Sequence, residues 1–399
     1  MNVKIFNYII IFVKFYLLFV SLFINVKLYI IYLDWKEIKK LNEKLKEINN
    51  WINICNQKQL IRENHKSSKK PKITALITIY NSQDYLHTAL RSVQNQLLND
   101  IEILLVDDGS VDHSLKIMKR FRKEDKRIKI IKNKKNRGAL YSKSIGILKS
   151  NGHYTMILDS DDLFANDKIF NISYYEAIKN NIDIVEFSGY NLESEFFPLN
   201  IVPLVPYYLR FKKNNELVKQ PELSFFIYKK LEEHKYQLID GYLCGKCIKS
   251  DIIKMSIKVV GPNIYEQKIN YGDDRIINFI LFKLAESFKY INEYGIIYRY
   301  NNNSITHSST FINNCKDELV NIWSIYNYTK NTKESEIIAF EIVFRWDTII
   351  FPGLNYNNYK SLKKLINKLL LNKYICDEYK LKLLSYSQNL TESKSLELF

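Results

Sequence analysis

"KITALITIYNSQDYLHTALRSVQNQLLNDIEILLVDDGS", residues 72–110, decides the fold. It begins apolar and β-branched and turns polar at Tyr80 and Asn81, the pattern of a buried strand running out into solvent. Leu86, Leu90 and Val93 then recur at helical spacing, and residues 100–110 form a second strand that ends in Asp107, Asp108 and Gly109. Working outward, the alternation continues. "SLKIMKRFRKED" is helical, "RIKIIKN" is a third strand, "RGALYSKSIGILKSNG" is a helix ending at Gly152, and "HYTMILDSDD" is a fourth strand. Strands alternating with short helices give βα units and a largely parallel sheet, in which ligands bind at the carboxyl ends of the strands. Tyr80-Asn81, Asp107-Asp108 and Asp159-Ser160-Asp161 therefore converge on one edge. Three carboxylates within residues 159–162 repel one another unless a cation lies between them. The stretch is thus a metal site or a solvated turn.

No G-x-G-x-x-G follows the first strand and no P-loop is present, so neither device holds phosphates here. A divalent cation held by residues 156–162 is the economical substitute. The chain has 399 residues, 46% of them hydrophobic, which is ample for a large catalytic domain and a smaller one. Its net charge of +16 suits an anionic partner. The lysines are dispersed and no basic-aromatic repeat occurs, so nucleic acid is not the expected partner. Cys55, Cys244, Cys247, Cys315 and Cys376 are odd in number and sparse, which excludes a disulfide framework. "CGKC" at residues 244–247 lacks the second pair or nearby histidines that zinc would need, and reads as two semi-buried small residues.

Residues 5–33 are almost wholly apolar, the length of a spanning helix, which needs ~20 residues. Lys14 and Lys27 lie off its centre, and no small-x-small cleavage site follows, so an uncleaved anchor is expected over residues 1–35. In residues 36–70, Ile38, Leu41, Leu45, Ile48, Ile52 and Cys55 step by three and four. That is an a/d seam, a stem that either pairs two copies or lies as one amphipathic helix on the catalytic domain. Five lysines follow the apolar run, which by the positive-inside rule places the rest of the chain in the cytosol. A secretory-pathway (Golgi or ER) enzyme would have it in the lumen, and that is the favoured expectation.

The residues carry a resemblance. Residues 78–112 look like the opening of family-two glycosyltransferases of the GT-A fold. "NRGALYSKSIGI" resembles that family's N-x-G-x-x-x-A-R-N-x-G segment through Asn136, Gly138 and Gly146, with Lys143 where Arg is usual. "LDSDD" resembles its D-x-D motif, and "YLCGKCIKSDII" its W-N-K-L-Y-K-R stretch, with Cys244 in place of Trp and Lys246 retained. "YGDDRIINFI" resembles its E-D motif, with Asp273 replacing Glu, and "YRYNNNSIT" the segment that closes the domain. The resemblance covers residues 72–310 and implies an α/β, Rossmann-like mixed sheet flanked by helices, with a catalytic domain over residues 71–310. It implies inverting transfer from a nucleotide-sugar, in the first place a UDP-sugar, to a glycan, lipid or protein acceptor. Mn²⁺ or Mg²⁺ would be held by Asp161 and Asp159, with Asp162 a further ligand. Asp108, helped by Asp107, would hydrogen-bond the base or ribose. Thr78, Tyr80 and Asn81 would line the nucleotide pocket, and Lys143 would meet the diphosphate. Asp274 would be the catalytic base, with Asp273 the second assignment.

Residues 183–245 would shape the acceptor site. After residue 310 the pattern turns helical and carries no chemical motif, so residues 311–399 read as a separate helical region. A nucleotidyltransferase and a catalytically impaired scaffold are the alternatives to a glycosyltransferase. The first would need a Gly-rich loop after the first strand, and the second is opposed by Asp108, Asp161 and Asp274 occurring together.

Overall fold

The computed structural model describes residues 70–192, 201–204, 217–219, 228–232, 235–238, 242–301, 311–330, 335–345, 350, 356–373, 375 and 377–392. The expected anchor and stem lie outside these residues. Among the described residues no helix is long and apolar enough to cross a membrane.

The chain begins as expected: β1 (Ile73–Ile79), α1 (Gln83–Gln94), β2 (Ile101–Asp107), α2 (Ser114–Glu124), β3 (Ile128–Lys132), α3 (Ala139–Lys149) and β4 (Tyr154–Asp159). Then come β5 (Leu163–Phe164), α4 (Ile169–Lys179), β6 (Ile184–Leu192), β7 (Ile201–Leu204), β8 (Leu217–Lys219), β9 (Tyr228–Glu232) and β10 (Lys235–Leu238). After β11 (Lys246–Lys249) follow α5 (Ser250–Val260), α6 (Pro262–Tyr265), α7 (Asp273–Leu284) and the long β12 (Ser287–Arg299). Four helices end the described chain: α8 (Phe311–Thr329), α9 (Glu336–Arg345), α10 (Tyr356–Leu370) and α11 (Asp377–Glu392).

The main sheet runs β3-β2-β1-β4-β11-β6-β12-β5, with β7 on β6 and β8 on β12. Strands β3, β2, β1 and β4 are parallel. β11 inserts antiparallel between β4 and β6, so the sheet is mixed. Both faces are covered, which is why β2 is buried at every residue and reads as a continuous apolar run. Alternation along β1 divides the core. Ile73, Ala75, Ile77 and Ile79 pack with α1, α2 and α4, whereas Leu76 packs with α3, α5 and α7. α3 lies close on the sheet because of Gly146, where an added Cβ would come within 2.4 Å of Leu76 Cδ1.

The second cluster does not stop at the sheet. Ile322 and Ile325 of α8, Ile338 and Ile342 of α9, Leu365 and Ile366 of α10 and Leu383 of α11 are fully or almost fully buried in it, together with Ile277 and Leu281 of α7. The helices after residue 310, read from sequence as a separate region, thus share one apolar core with the sheet. Burying a Leu or Ile contributes about 1.5–3 kcal/mol, so this contact is a large part of the stability of both.

Candidate active site

Register puts the polar strand ends in a row. Thr78 lies opposite Val106 on one side and Asp159 on the other, and Ile79 lies opposite Asp107. The edge formed by β2, β1 and β4 therefore carries Asp107, Tyr80-Asn81 and Asp159 side by side, as expected.

The individual roles differ from strand to strand. Asp108 is buried, and its carboxylate serves the protein. Oδ1 accepts from Asn133 Nδ2 and Arg137 N, both at 2.8 Å, and Oδ2 accepts from Gly138 N at 2.9 Å. It thereby fixes the loop into α3, where Gly138 takes φ +94° with Ile269 pressed against it. Asp107 is also buried, but only Oδ1 is engaged, by Ser110 N at 3.0 Å, and Oδ2 has no partner. Of the two, only Asp107 keeps an acceptor oxygen without a partner. Asn81 takes φ +49° and its Oδ1 accepts from Val111 N at 2.9 Å, while Tyr80 stands 47% exposed at the rim.

At the end of β4 the four residues 159–162 divide their work. Asp162 N bonds back to Asp159 O at 3.1 Å, closing a tight turn. Ser160 Oγ lies 2.6 Å from Ser82 Oγ. Asp161 Oδ2 accepts from Asn301 Nδ2 at 3.0 Å, and its carbonyl accepts from the Arg299 guanidinium. Asp162 is 1% exposed; Oδ1 accepts from Arg299 N at 3.0 Å and Oδ2 has no partner. Burial, then Asp161 and Asp159, push Asp162 well above the usual carboxylate range. Asp159, Asp162 and Cys244 bring ligand atoms within 4.8 Å of one another. Among the described residues this metal-sized group joins Asp159 to Asp162, the expected further ligand, and does not include Asp161. Cys244 reaches it because residue 244 bridges to Ile157 beside β4, with Sγ 3.7 Å from Asp159 Oδ2. Burial and the neighbouring Asp159 and Asp274 push its thiol well up, so it stands as a neutral neighbour. Cys247 is fully buried and pushed up to about 12 by that burial, so "CGKC" is no redox pair.

Lys143 sits at the centre. Its ammonium lies 2.6 Å from Asp274 Oδ1, 3.0 Å from Asp273 Oδ2 and 3.3 Å from Asp159 Oδ1. Burial alone would lower its pKa, but Asp159, Asp273 and Asp274 hold it well above the usual value. The carboxylates answer in kind. Burial raises Asp159, with Asp274 and Asp161 adding to it against Lys143. Burial and the nearby Asp274 raise Asp273 to about 7, again against Lys143. Asp274 is fixed from both sides, because Oδ2 accepts from Leu243 N at 3.1 Å while Oδ1 takes Lys143. Asp273 and Asp274 form the first turn of α7, a favourable place for carboxylates. Lys143 thus reaches the carboxylates of both strand and helix.

Sequence reasoning missed Arg299. It gives its N–H to Asp162, its guanidinium to the Asp161 carbonyl, to Thr88 Oγ1 at 2.7 Å and to Tyr85 O at 3.2 Å, and it packs on the Tyr85 ring. Its partners lie 137 to 214 residues away, so no local pattern announces it. Asp159, Asp273 and Asp274 face Lys143, while Asp161 and Asp162 lie beside Arg299. Asp162 Oδ2 is a buried oxygen without a hydrogen-bond partner. Two hard carboxylates, Asp159 and Asp162, fit Mg²⁺ or Mn²⁺.

Known proteins resemble this chain in sequence and in fold. Residues 74–233 match the family described as "Glycosyl transferase family 2". An uncharacterized glycosyltransferase of Haemophilus influenzae is 39% identical over 99 residues, 25% of this chain and 40% of that one. The uncharacterized glycosyltransferase EpsJ of Bacillus subtilis is 27% identical over 59% of this chain and 63% of its own length. The chain therefore spans less than two thirds of these two relatives. The cholesterol galactosyltransferase of Borreliella burgdorferi is 26% identical over 75% of this chain and 83% of its own. Among solved structures, S. aureus TarS 1–349 in complex with UDP-GlcNAc shares the fold, with a TM-score of 0.57 at 14% identity, covering 82% of this chain and 92% of that one.

Proposed function

Because residues 74–233 match the family described as "Glycosyl transferase family 2", we propose that this protein transfers a sugar from a nucleotide-sugar to an acceptor hydroxyl with inversion at the sugar carbon. The observation that carries the reading is the gathering of Asp159, Asp273 and Asp274 around Lys143, at the edge where Asp107 and Asp162 each keep a buried oxygen without a partner. A UDP-sugar is the donor class, as in the bound neighbour TarS. The exposed Tyr80 ring offers a stacking face for the base, and Asp107 Oδ2 an acceptor for its N–H or a ribose hydroxyl.

A diphosphate cannot approach so acidic an edge unaided. Asp159 and Asp162 would hold a divalent cation, which as a Lewis acid would neutralise charge developing on the leaving diphosphate. Asp161, tied to Asn301, braces the turn beside them. The acceptor oxygen bonds to the anomeric carbon from the face opposite the leaving group. The bond from that carbon to the diphosphate oxygen breaks, UDP departs, and the acceptor proton passes to the α7 carboxylates. Of these, Asp274 is held in place by Lys143 and Leu243, and Asp273 is raised to about 7 by its burial and by the nearby Asp274. Lys143 keeps the two carboxylates aligned and offers its ammonium to the diphosphate as a point charge.

Calorimetry of UDP with the full chain, with and without Mn²⁺, tests the reading. UDP should bind only with Mn²⁺, and Asp159→Ala or Asp162→Ala should lower that affinity about 10- to 100-fold. Metal-independent binding that both variants retain would refute the cation assignment, and no UDP binding under either condition would refute the donor.

A further inference from the structure

The helices after residue 310 carry no chemical motif, yet α8 reaches the loop that leads into Asp273 and Asp274. Residues 269–272 are fastened on two sides. Toward α3, Ile269 O accepts from Leu140 N at 3.1 Å and Asn270 Oδ1 accepts from Ala139 N at 3.2 Å. Toward α8, a single oxygen, Asp317 Oδ2, accepts the backbone N–H of Asn270 at 2.8 Å and of Tyr271 at 3.0 Å. One turn further along α8, Asn321 Nδ2 donates to Tyr271 O at 3.1 Å. Between them Glu318 takes the Arg275 guanidinium at 2.6 Å, which ties the first turn of α7 itself. Asp317, Glu318 and Asn321 are buried to within 5% of full coverage. Gly272 completes the arrangement, with φ +66° and room for a Cβ only if Asn321 Nδ2, 2.9 Å away, gives ground.

We propose that α8 belongs to the catalytic apparatus, with Asp317 and Asn321 as positioning residues that set the aim of Asp273 and Asp274. The proposal rests on the glycosyl-transfer reading above. An apolar residue at position 317 would serve core packing as well as Asp does. A carboxylate there is needed only because two backbone amides of the loop point at it. Those amides belong to the residues immediately before the αL turn at Gly272, so their direction fixes where α7 starts. A reacting group displaced by ~1 Å loses about 100-fold in rate.

The experiment uses the full chain and three variants: Asp317→Ala, Asp317→Asn and, as a stability control, Leu365→Ala, buried in α10. Release of UDP from UDP-N-acetylglucosamine and UDP-galactose gives kcat and donor KM, and amide hydrogen exchange is followed at residues 269–273. Asp317→Ala should lower kcat about 100-fold with donor KM nearly unchanged, and speed exchange at Asn270 and Tyr271. Asp317→Asn, whose side-chain oxygen can accept the same two amides, should recover most of both. If Asp317→Ala does not fold, Asn321→Ala, which removes one bond, is read the same way and should lose about tenfold in kcat. The proposal is overturned if Asp317→Ala keeps its kcat, if Leu365→Ala loses as much at an equal fall in Tm, or if Asn rescues nothing. A wild-type chain that neither binds nor turns over nucleotide overturns the glycosyl-transfer reading instead, and slow exchange that Asp317→Ala leaves unchanged overturns the positioning claim whatever the activity.

Discussion

Asp107, Asp108 and Asp159 lie at the ends of β2 and β4, the strands that flank β1 in the sheet, whereas Asp273 and Asp274 begin a helix whose partner Lys143 lies 131 residues earlier. The strand half is set by local rules: three parallel strands in register deliver their last residues to one edge whatever those residues are. The helical half has no such guarantee. It exists because α3, α7 and α8 pack on one face of the sheet and because Leu243 N, Asp317 and Asn321 catch the backbone and side chains at the start of α7. The strand half keeps buried acceptors without a partner, at Asp107 Oδ2 and Asp162 Oδ2. The helical half is filled with internal ion pairs. On the proposed reading, the first half binds the donor and the second takes the acceptor proton.

The largest effect should come from breaking the helical half alone. Asp273→Asn and Asp274→Asn should each cut sugar transfer by roughly 100- to 10,000-fold while leaving Mn²⁺-dependent UDP binding intact. Rates and calorimetry on the same samples check this. If Asp273 is the proton acceptor, its variant shows the larger loss and a flattened pH profile. Loss of UDP affinity in either variant would mean that the halves are not separate.

Breaking the link between the halves comes next. Lys143→Met leaves three carboxylates within a buried site without their cation, and removing one partner of a buried pair costs about 3–5 kcal/mol. Chemical denaturation at pH 7.5 should show that loss. The deficit should shrink at pH 5, where Asp273, raised to about 7, is protonated.

The smallest effect is a pH signature. Asp273 is raised from 3.8 to about 7, so its protonated form is favoured in the folded chain. Its contribution to stability is full below about 4 and is lost as pH rises through about 7. With Asp273 as the proposed base, which works only when deprotonated, transfer runs the other way and should climb as pH passes upward through about 7. Tm and initial rate, followed from pH 5.5 to 8.5, should move in opposite directions. In Asp273→Asn both slopes should flatten.

Much of the strand half was legible in the sequence. Residues 72–110 announce β1, α1 and β2 through periodicity, and "LDSDD" announces a charged turn. What the motif did not convey is how the four residues share their work. Asp161 faces Asn301 and Asp162 faces inward, since one N–H from Arg299, at the far end of β12, takes Asp162 Oδ1 and sets that carboxylate's direction. Asp108 likewise carries the more prominent motif position, but Asn133, Arg137 and Gly138 occupy it. In the helical half "GDD" and Lys143 were visible as candidates. Their meeting was not, nor was α8, whose Asp317 is one acid among many in a helical pattern.

The sequence by itself determined the βα order, the carboxyl-end placement of the polar clusters and the candidate carboxylates, because strand and helix periods and side-chain direction are local properties of the chain. Tertiary structure alone decided which oxygens remain open, that Lys143 joins the strand carboxylates to the helical ones, and that the C-terminal helices share the core and hold the loop before α7. Those outcomes depend on contacts between residues tens to hundreds of positions apart. Only burial, by removing water as a competing partner, makes such distant hydrogen bonds and ion pairs strong enough to fix a geometry.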